Sequence, residues 1–80
     1  MKEMKNKNYS RVAKKISSEL EYYIHKNTLK GSTIAKEIGM TEENFSMIRY
    51  RMRAGKIPPL KFLIEISIYF DKNFLLILLI

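Results

Sequence analysis

The chain has 80 residues, which is enough for one small domain that buries only about 60 to 65 % of its surface on folding. It carries 15 Lys and Arg against 8 Asp and Glu, and the formal net charge of +7 favours a polyanionic partner such as DNA, RNA or an acidic membrane surface. Cysteine is absent, which excludes a disulfide framework and a thiolate zinc site. No signal-peptide h-region follows the basic N-terminus, and no run reaches the roughly 20 apolar residues of a membrane span. We therefore expect a cytoplasmic protein.

The N-terminal region separates into a polar arm and a first helix. Residues 1–9 are rich in Lys and Asn with little to bury, so they predict a flexible basic arm. Ser10 matches an N-cap, and apolar residues then repeat at helical spacing to about Lys26, namely Val12, Ile16, Leu20, Tyr23 and Ile24. His25 is the one histidine and has no cysteine near it, so we expect a surface imidazole and no metal or other cofactor.

Two short helices joined by a tight turn are predicted between residues 32 and 50. Ile34, Ala35 and Ile38 lie at helical spacing, and Gly39 supplies the turn. Thr41 can cap a second helix, whose apolar residues are Phe45, Ile48 and Met52. This spacing is the pattern of a helix-turn-helix unit.

The same part of the chain resembles a known family. The residues that carry the resemblance are Ala35–Thr41, Phe45, Ile48, Gly55–Leu60 and the later run Pro59–Phe70. Over roughly Leu29 to Leu78, they resemble the phage repressor and Cro family of lambda repressor-like DNA-binding domains. The resemblance implies an all-α fold, a small five-helix bundle containing a helix-turn-helix. We expect the DNA-binding domain to cover residues 10–73.

The second helix of the motif is the recognition helix in that family. If its apolar residues face the core, a rotation of about 100° per residue turns others outward. The predicted base-reading residues are Glu43, Asn44, Ser46, Met47 and Tyr50. Asn can pair with adenine, Glu can accept from the cytosine amino group, and Met can contact a thymine methyl. Two alternatives stay open, since Glu43 also offsets the helix macrodipole and an exposed Met47 also suits a protein contact.

Basic residues cluster after Ile48, with no acid from Arg49 to Lys61. The predicted contacts to DNA phosphates are Ser32, Thr33, Arg49, Arg51, Arg53 and Lys56. The first two lie where a helix start presents free backbone N–H groups, although Ser32 is equally consistent with a plain cap. We also expect one of the three arginines to pair with a carboxylate such as Glu21 or Glu37.

The segment between Gly39 and Gly55 is about four residues longer than the family pattern, close to one helical turn. Either the recognition helix extends past Tyr50, or residues 51–54 loop out. Gly55 and two prolines end the segment. A further helix follows with Leu60, Leu63, Ile64, Ile66 and Phe70, an apolar density that indicates burial on more than one side.

Residues 74–80 form an uninterrupted apolar run. The run is too short to span a membrane as a helix and has no polar face for interfacial insertion, so we expect no membrane partner. Because a fully apolar end would leave an exposed patch on a small monomer, we predict a homodimer through this segment. The predicted interface residues are Phe74, Leu75, Ile77, Leu78, Leu79 and Ile80. A short helix matches the family, while an edge strand suits the branched aliphatic composition.

No arrangement of residues predicts catalysis, since a nucleophile with its base and a Gly-rich phosphate loop are both missing from the sequence. We therefore predict that the chain is not an enzyme. The resemblance implies a homodimer that binds a short palindromic site on double-stranded DNA, acting as a bacterial, phage or plasmid transcriptional regulator, in particular a repressor. The alternative is a mobile-element protein-binding module, inhibitor or antitoxin-like, that uses the same fold and basic face against a protein partner.

Overall fold

The computed structural model describes the backbone of residues 2–79 and the side chains of residues 8–77, and this part of the chain is all-helical. Its elements are α1 (Lys2–Lys26), α2 (Gly31–Glu37), α3 (Glu42–Arg53), α4 (Leu60–Phe70) and a C-terminal 3₁₀ helix (Phe74–Leu79). The predicted all-α class is confirmed. The described residues form four α-helices rather than five, and the strand alternative for the C-terminal run is wrong because that run is helical.

Helix α1 begins at Lys2, so the predicted start with an N-cap at Ser10 is wrong. Backbone from Lys2 to Tyr9 is helical where a flexible arm was predicted, because these residues include neither Gly nor Pro and Lys, Glu and Met favour helix. The helix ends as predicted at Lys26, where the side-chain amide of Asn27 donates to the Tyr23 carbonyl at 2.9 Å.

Helices α2 and α3 are consecutive and pack against each other, separated by residues 38–41. Gly39 adopts a φ of +78°, and the N–H of Met40 returns to the Ala35 carbonyl at 2.8 Å. The Thr41 hydroxyl accepts from the N–H of Asn44 at 3.1 Å, which confirms the predicted cap. Lys30, not Ser32, occupies the N-cap position of α2.

Helix α3 continues to Arg53, so the extended alternative is correct and residues 51–53 do not loop out. The chain then reverses at Gly55, whose φ is +102°. A Cβ built on Gly55 would lie 3.1 Å from the Cβ of Ser10 and closer still to its hydroxyl. Because α1 approaches so closely, this turn requires glycine for space as well as for its backbone conformation.

The core lies where all these elements meet. Its largest buried side chains are Phe45, Phe74, Ile16, Leu20, Ile34, Met52, Leu63 and Ile66. Helix α4 buries Phe62 beside Leu63 and Ile66 but leaves Leu60 and Ile64 exposed. Within the described chain the other elements pack against one face of α4 only, so the predicted burial on a second side is not seen there.

The C-terminal run begins inside the core. Phe74 is 2 % exposed, its ring lies 6.0 Å from that of Tyr23 and 6.2 Å from that of Phe70, and its N–H donates to the Ser67 hydroxyl at 3.1 Å. Phe74 is therefore unavailable for the predicted dimer interface, since its own chain encloses it. Leu75 and Ile77 are half-buried against the same core. The predicted interface side chains of residues 78–80 lie outside the described residues.

None of the helices in the described range is both long and apolar enough to cross a bilayer.

Candidate nucleic-acid interface

The outer face of α3 carries the residues predicted to read bases. Phe45 and Met52 are fully buried, so the opposite side of the helix points to solvent. Glu43, Asn44, Ser46, Met47 and Tyr50 are all exposed. All of them except Asn44 line one shallow depression, together with Thr41 and Glu42. Asn44 instead lines a neighbouring surface, and Met47 lines both.

That neighbouring surface, which we call the α3 groove, runs between α3 and the loop that precedes α4. Its lining residues are Met40, Asn44, Met47, Ile48, Arg51, Lys56, Ile57, Pro58 and Pro59. Two predicted phosphate contacts, Arg51 and Lys56, therefore lie beside the predicted base readers Asn44 and Met47. The extension of α3 places Arg51 on the helix, and the turn at Gly55 brings Lys56 back toward it.

Arg49 points away from this groove and joins α3 to α1. Its Nε donates to one oxygen of Glu21 at 2.8 Å and its terminal nitrogen donates to the other at 2.7 Å, a bidentate ion pair. The guanidinium also lies 5.6 Å from the centre of the Phe45 ring. The expectation that one of the three arginines pairs with a carboxylate such as Glu21 or Glu37 is confirmed, and the partner is Glu21. The side chain of Arg49 therefore takes part in contacts within the molecule and is not one of the exposed cations.

The ion pair sets the charge state of Glu21. The hydrogen bonds from Arg49 lower the pKa of Glu21 below its ordinary value of 4.5, and they outweigh the opposing effect of burial. The positive charges of Arg49, Arg53 and His25 lower this pKa further. Arg53 is therefore near the α1 side of α3, whereas Arg51 faces the groove. The three arginines of the predicted basic cluster are divided between two sides of α3.

Ser32 and Thr33 lie apart from the α3 groove. They line a separate depression at the start of α2 with Lys36 and Glu37. Thr33 is exposed and Ser32 is half-buried. The structure does not bring this pair together with Arg51 and Lys56 in one surface.

Met40 and Ile57 line the α3 groove but were not predicted as site residues. Ile57 is 39 % exposed, although it is aliphatic. A sequence signal existed for it, because an isoleucine between Lys56 and Pro58 belongs to no helical apolar pattern. Met40 gave no such signal, and it is half-buried against the core.

Among the side chains that the structure describes, no three of His, Asp and Glu lie together in a way that could hold a metal ion.

No family model matches the chain, and the searches of curated proteins and of solved structures found no significant match. The resemblance to phage repressors therefore remains a prediction. Any function for the chain has to be inferred from the outer face of α3 and the α3 groove.

Proposed function

We propose that this chain is a sequence-specific double-stranded DNA-binding protein, a homodimeric cytoplasmic transcriptional regulator that acts as a repressor. In this proposal α2 and α3 form the helix-turn-helix and α3 enters the major groove. The observation that carries the proposal is the α3 groove, where Asn44, Met47 and Arg51 of α3 line one surface together with Lys56 of the loop that follows the helix. Base-reading chemistry and phosphate-binding charge thus occur on one surface.

The dimensions of α3 suit this role. Its 12 residues form a rod about 18 Å long, and a helix with its side chains fits a major groove about 12 Å wide. Its N-terminal end is exposed, with Thr41, Glu42 and Glu43 open to solvent. Helices of this kind present their N-terminal residues to base edges. Asn44 would pair with adenine and Met47 would contact a thymine methyl.

The cations at the edge of α3 supply affinity without sequence preference. Arg51 and Lys56 are both exposed, and no carboxylate of the described residues lies within ion-pair distance of them. Contacts from such residues to phosphates fix the position of a protein on a duplex and release counterions. The formal charge of +7 adds long-range attraction to DNA.

The ion pair between Glu21 and Arg49 fixes the orientation of α3 before DNA arrives. It connects residues that are 28 apart in the chain and joins α3 to the longest helix of the fold. A reading helix held in this way loses little conformational freedom on binding. Two such helices in a dimer would contact successive major grooves about 34 Å apart and block access to a promoter.

The direct test is selection from random double-stranded DNA at near-physiological salt, using the wild type, Asn44→Ala and Met47→Ala. We expect a palindromic consensus in the wild type and changed preference at particular bases in each variant. Asn27→Ala is the matched control, because Asn27 is an exposed asparagine at the end of α1, and it should leave the consensus unchanged. Recovery of no consensus by the wild type would refute specific DNA reading.

The alternative function is a protein-binding module, and one observation favours it. Met47 is 44 % exposed and Tyr50 is 69 % exposed on a face that also carries Glu42 and Glu43, which DNA phosphates repel. Exposed Met and Tyr are enriched in protein interfaces. Competition with bulk DNA separates the two functions, since a specific reader prefers its site by about a thousandfold or more.

A further inference from the structure

The outer face of α4 carries a row of exposed aliphatic residues, which we call the α4 stripe: Leu60 (61 % exposed), Ile64 (40 %) and Ile68 (72 %). Successive members are four residues apart, so they lie along one side of the helix. Phe62, Leu63 and Ile66 occupy the opposite side and are buried. Among the described residues, nothing covers the stripe.

We propose that the α4 stripe is the contact surface between two copies of this chain, with the two α4 helices antiparallel about a two-fold axis at Ile64. The stripe is symmetric about its middle member, so this axis places Leu60 against Ile68 of the partner subunit. A two-fold interface requires such self-complementarity, because the same patch serves on both subunits.

The charges beside the stripe also match a second copy. Lys61 and Glu65 are one turn apart on the same edge of α4, and neither lies within ion-pair distance of an opposite charge in the described part of the chain. In an antiparallel pair the same edges of both helices meet. Lys61 then faces Glu65 of the partner subunit, and the second pair follows by symmetry. A uniformly acidic or basic partner would match only one of these charges.

The contact is small. Stable interfaces bury about 800 Å² on each partner, and three partly exposed side chains supply less, so we expect a dissociation constant of about 1 to 100 µM. The role of this dimer on a palindromic DNA site rests on the proposed function. Self-association does not rest on it, because the dissociation constant of the dimer is measured without DNA. A failure to dimerise can therefore be told apart from a failure to bind DNA.

Sedimentation velocity on the full chain, over concentrations that span this range, tests the surface. Ile68→Asp should raise the dimer dissociation constant at least about tenfold, because it buries a charge in an apolar contact. Leu76→Asp is the matched control on the 3₁₀ helix, where Leu76 is 56 % exposed, and it should leave the constant within about twofold. Circular dichroism melts confirm that both variants fold. A wild type that stays monomeric throughout, or a loss of dimer with Leu76→Asp alone, would overturn the proposal.

Charge reversal tests the antiparallel arrangement. Lys61→Glu and Glu65→Lys should each weaken the dimer about three- to tenfold, because each places like charges opposite one another twice in the symmetric contact. The double variant exchanges both signs and should return the constant to within about twofold of the wild type. If the double variant is no tighter than the two single variants, the antiparallel pairing is refuted.

Discussion

The carboxylate of Glu21 and the guanidinium of Arg49 connect α1 to the candidate reading helix, and both are mostly shielded from water, at 22 % and 21 % side-chain exposure. Two hydrogen bonds satisfy both carboxylate oxygens. The Phe45 ring below the guanidinium and the backbone of Gly31 beside it leave Arg49 little freedom. A pair with this geometry stabilises the packing of α3 against α1, which a solvated surface pair would not do.

We predict that Glu21→Gln lowers the free energy of unfolding at pH 7 by about 1 to 3 kcal/mol, because the change removes the charge from a bidentate hydrogen-bonded pair. The folded state lowers the pKa of Glu21, so the contribution is fully present above the ordinary value of 4.5 and is lost as the pH falls through the lowered pKa. Urea denaturation of both proteins between neutral and strongly acidic pH should therefore show the difference shrinking below about pH 4.5.

Glu37→Gln is the control for this prediction, because Glu37 is exposed and forms no ion pair in the described chain. Its effect should stay within about 0.5 kcal/mol at pH 7. Equal effects of the two substitutions would show that the Glu21–Arg49 pair contributes nothing specific.

The division of the arginines predicts different effects on DNA binding. Arg51→Gln and Lys56→Gln should each reduce the slope of log affinity against log salt by about 1, with folding unchanged. Arg49→Gln should instead lower the unfolding free energy and leave that slope within error, because its donors are engaged by Glu21. Binding titrations over a salt series, paired with thermal melts, measure both. A slope change with Arg49→Gln and none with Arg51→Gln would contradict this division.

At the scale of elements, two glycines end the helices on either side of the candidate interface. Gly39 separates α2 from α3, and Gly55 turns the chain from α3 toward α4. Both have positive φ, but their surroundings differ. A Cβ on Gly39 meets nothing within 4 Å, whereas one on Gly55 meets Ser10 of α1. The turn at Gly55 is thus a contact with α1 as well as a helix end.

We predict that Gly39→Ala costs about 1 kcal/mol of unfolding free energy, from backbone strain alone. Gly55→Ala should cost more, about 2 to 4 kcal/mol, because strain is joined by overlap with Ser10. Chemical denaturation of the two variants measures the difference. If they are equally destabilised, the close approach of α1 to this turn has no energetic consequence.

At the scale of the whole molecule, the C-terminal run closes the core. Phe74 packs against aromatic rings of both α1 and α4, so the start of the C-terminal 3₁₀ helix holds α1 and α4 together. Among the side chains that the structure describes, seven other large ones are fully buried. A small domain depends strongly on each of them.

Phe74→Ala should therefore lower the unfolding free energy by about 3 to 5 kcal/mol, through lost burial and the cavity that remains. Leu76→Ala, two residues along and 56 % exposed, should change it by less than about 0.5 kcal/mol. Thermal and urea denaturation at low protein concentration keep self-association out of the comparison. If both variants lost comparable unfolding free energy, the whole apolar run, and not Phe74 alone, would stabilise the fold.

Local patterns in the sequence determined the individual helical segments, the Thr41 cap and the outward face of α3. Each of these depends on residues within about one or two turns of one another, where helical periodicity and capping chemistry decide the outcome. The same periodicity identified Phe45 and Met52 as buried and therefore placed Met47 outside. For α1, the cap chemistry of Ser10 was a misleading signal, because a helix that contains no breaker continues through a potential cap.

Only the tertiary structure decided the contacts between residues far apart in the chain. Glu21 and Glu37 were equally good partners for an arginine in sequence, and the packing of α1 on α3 selected Glu21. The apolar density of α4 could not say which side would be buried, and the elements available to pack against it covered one side. Phe74 belongs to an apolar run that predicted a dimer surface, but in the fold it is buried against aromatic residues of α1 and α4. Burial depends on which surfaces meet, and a linear pattern carries no such information.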